Sequence, residues 1–152
     1  MPILWTDDPE ANRLLETDPL ALLIGLVLDQ QVKMEKAFAG PFELKGRLGH
    51  LDVRKIASMD PDKLNAVFRE RPALHRFPGS MATRVQALCQ VIVSEYGGEA
   101  RSVWTEARDG DDLAARIKKL PGFGEMKVKI LVAVLAKKFG VKPRGWEKHA
   151  AS

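Results

Sequence analysis

Apolar residues recur along the chain at helical spacing, and almost nowhere at the alternation of a half-buried strand. Asp-Pro pairs at 8–9, 18–19 and 60–61 mark helix starts, with Asp as N-cap and Pro in the first turn. Helices are predicted over residues 9–16 and 19–28. The second is apolar on nearly every side (Leu20, Leu22, Leu23, Ile24, Leu26, Val27, Leu28), as in a helix buried in the middle of a fold. Gly25 within it implies close approach of a neighbouring helix. Gln30-Gln31-Val32 breaks the pattern. A helix over 33–39 follows, stopped by Gly40-Pro41, and then a short one over 42–48. Residues 52–59 turn Val53, Ile56 and Ala57 inward, and 61–70 place Leu64, Val67 and Phe68 on one face. Residues 71–79 hold two prolines and a glycine and read as loop. The segment 80–96 is a long helix ended by Gly97-Gly98, and a short amphipathic piece covers 102–107. Val91-Ile92-Val93 is β-branched but lies inside a longer helical period. The expected fold is all-α, a compact multi-helix bundle of about eight to ten helices forming a single domain over 1–152, with no repeat or dividing linker.

Asp109-Gly110-Asp111 opens the next helix, and the chain then runs through Leu120-Pro121-Gly122-Phe123-Gly124 into another. Apolar residues fall at 113, 117 and 120 before that turn and at 126, 130 and 134 after it. Two helices joined by Pro-Gly-x-Gly must turn sharply, with φ > 0 available at Gly122 and close backbone approach at Gly124. The second helix opens with free N–H groups and a positive dipole end, where a phosphate fits. Lys118, Lys119, Lys127 and Lys129 surround it. An ordinary αα-hairpin with a Gly-rich turn has the same outline.

Composition adds bounds. The 152 residues suit one domain with its own core, and the net charge of +4 permits a polyanionic partner. The single cysteine, Cys89, lies in an apolar run and reads as core; one thiol cannot hold an iron–sulfur cluster. His50, His75 and His149 are dispersed, without metal-ligand spacing. The N-terminus lacks signal-peptide character and the longest apolar run, 20–28, is too short for a bilayer, so a cytoplasmic protein without membrane association is expected.

Leu120-Pro121-Gly122-Phe123-Gly124-x-x-Lys127 resembles the helix-hairpin-helix of the DNA glycosylase superfamily that includes endonuclease III. Two further segments are similar to that family and come in its order: Leu22 to Gln31, like the early helix ending in a Gln-containing turn, and Phe77 to Leu88, like the Gly-x-x-x-Lys-Ala-x-x-Leu helix start. The resemblance covers roughly residues 18–142. It implies a base-excision-repair protein that binds damaged or abasic duplex DNA as a monomer and extrudes a base. Amides near Gly122, Gly124, Met126 and Lys127 would face a phosphate. Carbonyls of Lys118, Leu120 and Phe123 would hold a monovalent cation, K⁺ or Na⁺; no other cofactor and no iron–sulfur cluster is implied.

Gln30 and Gln31 stand where the family places a residue that enters the duplex; a polar turn is the plainer reading. Ser80 is expected as an N-cap, with Arg84 one turn on as a second phosphate contact and His75-Arg76 adding charge. The lysine that lyase members carry on the second helix falls, by spacing, on Met126. Lys127, one residue on, should be turned ~100° away. The family's Asp, about eighteen residues later, has no counterpart near Arg144 to Lys148. Glu147 is the one carboxylate there, and a solvated Glu is its alternative. Asp29, at the end of the buried helix, is the other candidate, with a C-terminal turn residue as its alternative. Trp146 is the candidate for the base pocket. The expected activity is a monofunctional DNA N-glycosylase, hydrolytic and without a lyase step; the alternative is a non-catalytic damage- or structure-binding module.

Overall fold

The computed structural model describes residues 2–151. Among them are α1 (Pro9–Thr17), α2 (Pro19–Leu28), α3 (Met34–Leu48), α4 (Val53–Ser58), α5 (Pro61–Arg69), α6 (Pro78–Tyr96), α7 (Ser102–Thr105), α8 (Gly110–Lys118), α9 (Glu125–Phe139) and a 3-10 turn (Trp146–His149). No strand occurs among the described residues, so the all-α expectation holds. No helix among them is long and apolar enough to cross a membrane.

The Asp caps act as their spacing predicts: Asp8, Asp18, Asp52, Asp60 and Asp109 each accept a backbone N–H from the first turn of the helix that follows. α2 is the centre, with every residue from Leu20 to Leu28 buried. Each buried Leu or Ile contributes roughly 1.5–3 kcal/mol, so the core is organised about this helix. α1, α3 and α6 pack on it, α4 and α5 pack on α6, and α8 and α9 join the 3-10 turn on the other side. A Cβ on Gly25 would stand 2.7 Å from Phe38 of α3, the close approach that Gly25 implied. Trp5 closes that contact from outside, its ring 4.6 Å from that of Phe38.

Three expectations need correction. Residues 33–39 and 42–48 form one helix, α3, which runs through Pro41. An internal proline costs about 3 kcal/mol in isolation. Here Ala37, Phe38, Pro41 and Leu44 are buried in one stripe, and Gly40 lies so close to Leu28 that a Cβ would be 2.4 Å from it. Breaking the helix would lose that packing. Second, α6 starts at Pro78, so Ser80 is not an N-cap; it is exposed in the first turn, and no side chain caps this helix. Pro78 needs no N–H partner, which makes the earlier start inexpensive. Third, the inward face of α9 is Val128, Leu131, Val132 and Leu135, while Met126 is 66% exposed.

The loop between α5 and α6 has no regular structure, yet it is firmly held. Arg47 of α3 donates to the carbonyls of Val67, Glu70 and Pro72, Lys36 donates to that of Ala73 at 3.0 Å, and the Leu74 amide reaches Phe68 O. At the other end of the molecule, Gly110 sits against the backbone of Gly145 and Trp146; a Cβ there would be 2.6 Å from the Gly145 carbonyl. Backbone cannot swing aside as a side chain can. Gly110→Ala is therefore expected to destabilise the fold by about 2 kcal/mol, read as a lower urea midpoint at unchanged m-value.

Candidate nucleic-acid interface

The end of α2 is where the elements converge. Its last carbonyls have no partners within the helix. Leu26 O accepts the Asp29 amide at 3.3 Å. Leu28 O accepts the Gln30 amide at 2.8 Å and lies 2.9 Å from His75 Nε2. Val27 O accepts Lys127 Nζ at 3.2 Å. A cation at a helix C-terminus is favoured by the dipole as well as by the hydrogen bond.

Lys127 thus points inward, to the end of α2. Its phase on α9 follows the buried Val128, Leu131 and Leu135 face, so the side chain reaches inward across the hairpin to α2. Met126, which holds the lysine slot by spacing, projects outward instead. Burial lowers the Lys127 pKa from its usual value, Asp29 nearby raises it again, and Arg84 opposes it. Burial raises the Asp29 carboxyl above the usual carboxylate range, and Lys127 draws it back down. The two half-buried groups of opposite charge lie close enough to act on each other electrostatically but not within ion-pair distance, and both stand between the hairpin and the Gln turn. With its ammonium committed to α2, Lys127 is not a free surface cation.

Gln30 and Gln31 differ. The Gln30 side chain is half-buried and its Oε1 accepts from Arg84 of α6, so Arg84 is a brace for the turn. Gln31 is exposed and its φ is +56°, a left-handed conformation uncommon outside glycine. Holding a non-glycine residue there costs roughly 1–2 kcal/mol, and backbone strain of this kind concentrates at functional sites. Gln31→Gly is expected to raise unfolding free energy by up to about 1 kcal/mol, measured by urea titration, while removing the one exposed side chain of the pair.

Two residues at this place have roles the sequence did not reveal: His75 was expected to add charge beside Arg76, and Phe77 only opened a family-like segment. His75 is 2% exposed, so it adds no surface charge. Its Nδ1 accepts the Phe77 amide at 2.9 Å, which makes Nε2 the protonated nitrogen of a neutral ring donating to Leu28 O. Burial lowers its pKa, the backbone partners raise it, and Lys36 and Lys127 lower it. Phe77 is 38% exposed at the head of α6, with the Arg76 guanidinium 5.3 Å from its ring centre. An exposed aromatic beside a polar turn was the available signal, hidden by its place in a Pro-rich loop.

The hairpin closes beside this group. Gly122 has φ +87°, and a Cβ there would meet Val27 at 3.4 Å, so the turn rests on the last turn of α2. The Phe123 amide bonds Leu120 O at 3.2 Å. The amides of Gly122, Gly124, Met126 and Lys127 have no backbone acceptor among the described residues, and α9 has no side-chain cap. The carbonyls of Lys118 and Phe123 accept no backbone hydrogen bond among them either, and Leu120 O keeps one lone pair. That donor set suits a weakly bound monovalent cation. Lys118 and Glu125 form an exposed pair at 3.7 Å across the turn.

Trp146 and Glu147 are not brought to this group. The 3-10 turn that carries them docks where α8 begins, with Asp111 holding His149 at 2.6 Å and Lys148 at 3.0 Å. That is the opposite end of α8 from the hairpin, ~13 Å along its axis. Trp146 is half-buried at the core margin, and Glu147 is exposed with no ion-pair partner among the described residues. Cys89 is buried in the core, its thiol pushed up to about 12 by burial.

A family model described as HhH-GPD superfamily base excision DNA repair protein matches residues 24–143. Among solved structures, one described as a trapped endonuclease III–DNA covalent intermediate in an estranged-adenine complex is similar. Its TM-score is 0.57 at 22% identity, over 87% of this chain and 57% of that one. The chain therefore spans little more than half the length of that structure, and the likeness is one of fold. None of the curated proteins matches. With that match covering most of the chain, the protein belongs to the HhH-GPD superfamily of base excision DNA repair proteins.

Proposed function

We propose that the protein binds damaged or abasic duplex DNA and acts as a monofunctional DNA N-glycosylase. The observation that carries this reading is that the inward Lys127, the half-buried Asp29, the Gln turn and the hairpin meet at the end of α2. The free amides of Gly122, Gly124, Met126 and Lys127 hold a backbone phosphate, with a monovalent cation on the carbonyls of Lys118, Leu120 and Phe123. Ser80, exposed in the first turn of α6, offers a second phosphate contact. Gln31 enters the duplex, Gln30 and Arg84 brace it, and Phe77 covers the exposed stack.

The chemistry falls to Asp29. As a carboxylate it stabilises the positive charge that develops at C1′ and takes a proton from the attacking water. The water oxygen bonds C1′, the C1′–N bond breaks, and the base leaves with its electron pair and gains a proton. A Schiff-base route needs a free neutral amine. Lys127 Nζ donates to Val27 O beside a carboxylate that favours the ammonium form, and no strand cleavage by lyase chemistry is expected.

A screen of duplexes carrying single base lesions tests this. Alkali-labile abasic sites with no borohydride-trapped adduct are the expected result, and a trapped adduct would assign Lys127 to covalent chemistry. The second reading, a non-catalytic damage-binding module, is favoured by the lack of the family's Asp at the later position, where the one nearby carboxylate, Glu147, is solvent-exposed. It predicts abasic-site binding with no base release from any lesion.

A further inference from the structure

We propose that His75 is a positioning residue that sets the Gln turn and the head of α6 in register, so that damage-selective DNA binding depends on its neutral form. The inference rests on the DNA-binding reading above. One imidazole bonds two elements: Nε2 donates to Leu28 O, at the root of the turn that carries Asp29, Gln30 and Gln31, and Nδ1 accepts the amide of Phe77. Both groups assigned to the opened duplex are therefore fixed to the same ring. The His75 backbone lies in a segment already tied to α3 through Arg47 and Lys36, so the ring is anchored from behind.

Protonation acts on one side of this bridge. Nε2 still donates, but Nδ1 gains a hydrogen and no longer accepts the Phe77 amide. Phe77 loses its tether while the Gln turn keeps its own. The charged groups that act on the ring are Lys36 of α3 and Lys127 of α9, and both oppose protonation. Asp29 and Arg84 act on Lys127. Burial likewise holds the ring neutral. The unfolded imidazole titrates near 6.5 and the folded one lower. Between the two values the unfolded chain binds more protons. Stability from this bridge is thus complete above the unfolded value and falls as pH drops towards the folded one.

The test is a fluorescence-anisotropy titration of a labelled duplex with a central tetrahydrofuran abasic site, and of the same duplex intact. Measurements are made at about pH 7.5 and at the lowest pH at which circular dichroism still reports the folded helices, because the folded ring titrates below the ordinary histidine value. Wild-type protein is expected to lose about fivefold of its abasic-over-intact preference on acidification, the size of one net hydrogen bond. His75→Gln keeps one donor and one acceptor and does not titrate, so its preference should hold at both pH values. His75→Leu should lack it at both. His50 and His149 remain in each variant, so neither can produce the difference. If His75→Leu does not fold, NMR of the wild type decides: the Phe77 amide shift should titrate with the His75 ring at one midpoint. A preference that ignores pH, together with a Phe77 amide that does not follow the ring, overturns the coupling alone. Absence of any duplex binding by the wild type at the higher pH overturns the DNA-binding reading and the coupling together.

Discussion

Gly122→Asp is expected to lower duplex affinity about 100-fold or more while the helices remain folded. The substitution puts a carboxylate at the turn where the α9 amides stand open, against the phosphate they would hold. Two like charges ~4 Å apart at an effective dielectric of ~20 repel by about 4 kcal/mol, and each 1.4 kcal/mol is tenfold in affinity. Strain contributes separately, because φ at Gly122 is +87°. Gly122→Ala carries that strain without the charge, and its Cβ would meet Val27 at an ordinary 3.4 Å. Ala should therefore cost some stability and little binding, and Asp both. Anisotropy titrations of the two variants beside their circular dichroism separate the effects. Equal binding by folded Gly122→Asp and wild type would remove the hairpin from the interface.

The second large effect concerns Asp29. Asp29→Asn should reduce base release by about 10³-fold, within the range of a positioned general base, and leave abasic-duplex affinity nearly unchanged. The amide keeps the shape of the side chain but cannot accept a proton from water or balance a cation at C1′. Loss of its charge also removes the group that raises the Lys127 pKa, so the ammonium becomes easier to deprotonate. Lys127→Met differs in kind. It leaves Val27 O without its donor and Asp29 without its cation, and should destabilise the fold by roughly 1–3 kcal/mol. Base release by Asp29→Asn at the wild-type rate in single-turnover assays would take Asp29 out of the chemistry.

The position of Lys127 also changes which residue sets the salt dependence. An inward ammonium bonded to α2 releases no counterion when a phosphate arrives. Exposed Lys119 and Lys129 are better placed, and each is expected to lower the salt slope by ~1 when replaced by Ala.

Much of the fold was legible along the chain because it depends on local chemistry. Asp caps follow from a short side chain meeting orphan amides, and all five precede helices that the Asp-Pro pairs or the apolar period had marked. The burial of α2 follows from having no polar face to give to water. The hairpin follows from Gly122, whose φ of +87° other residues enter only at a cost; Gly124 has an ordinary φ of −85° and open space around it, so the close backbone approach expected there does not occur. What no local pattern held was rotation and partnership. α9 is apolar on more than one side: Met126, Ile130 and Val134 keep helical spacing as well as Val128, Leu131 and Leu135 do. Periodicity reports that a face is apolar, but packing on α8 and the 3-10 turn chose the second set and so turned Lys127 inward and Met126 out. For the same reason Pro41 could remain inside α3 and Ser80 could miss its cap. His75 looked like surface charge beside Arg76 until Leu28 O, 47 residues away, gave its ring a buried acceptor. Lys127 and Val27 stand 100 residues apart, and their contact exists only because two helix ends, each with unsatisfied backbone groups, are packed together.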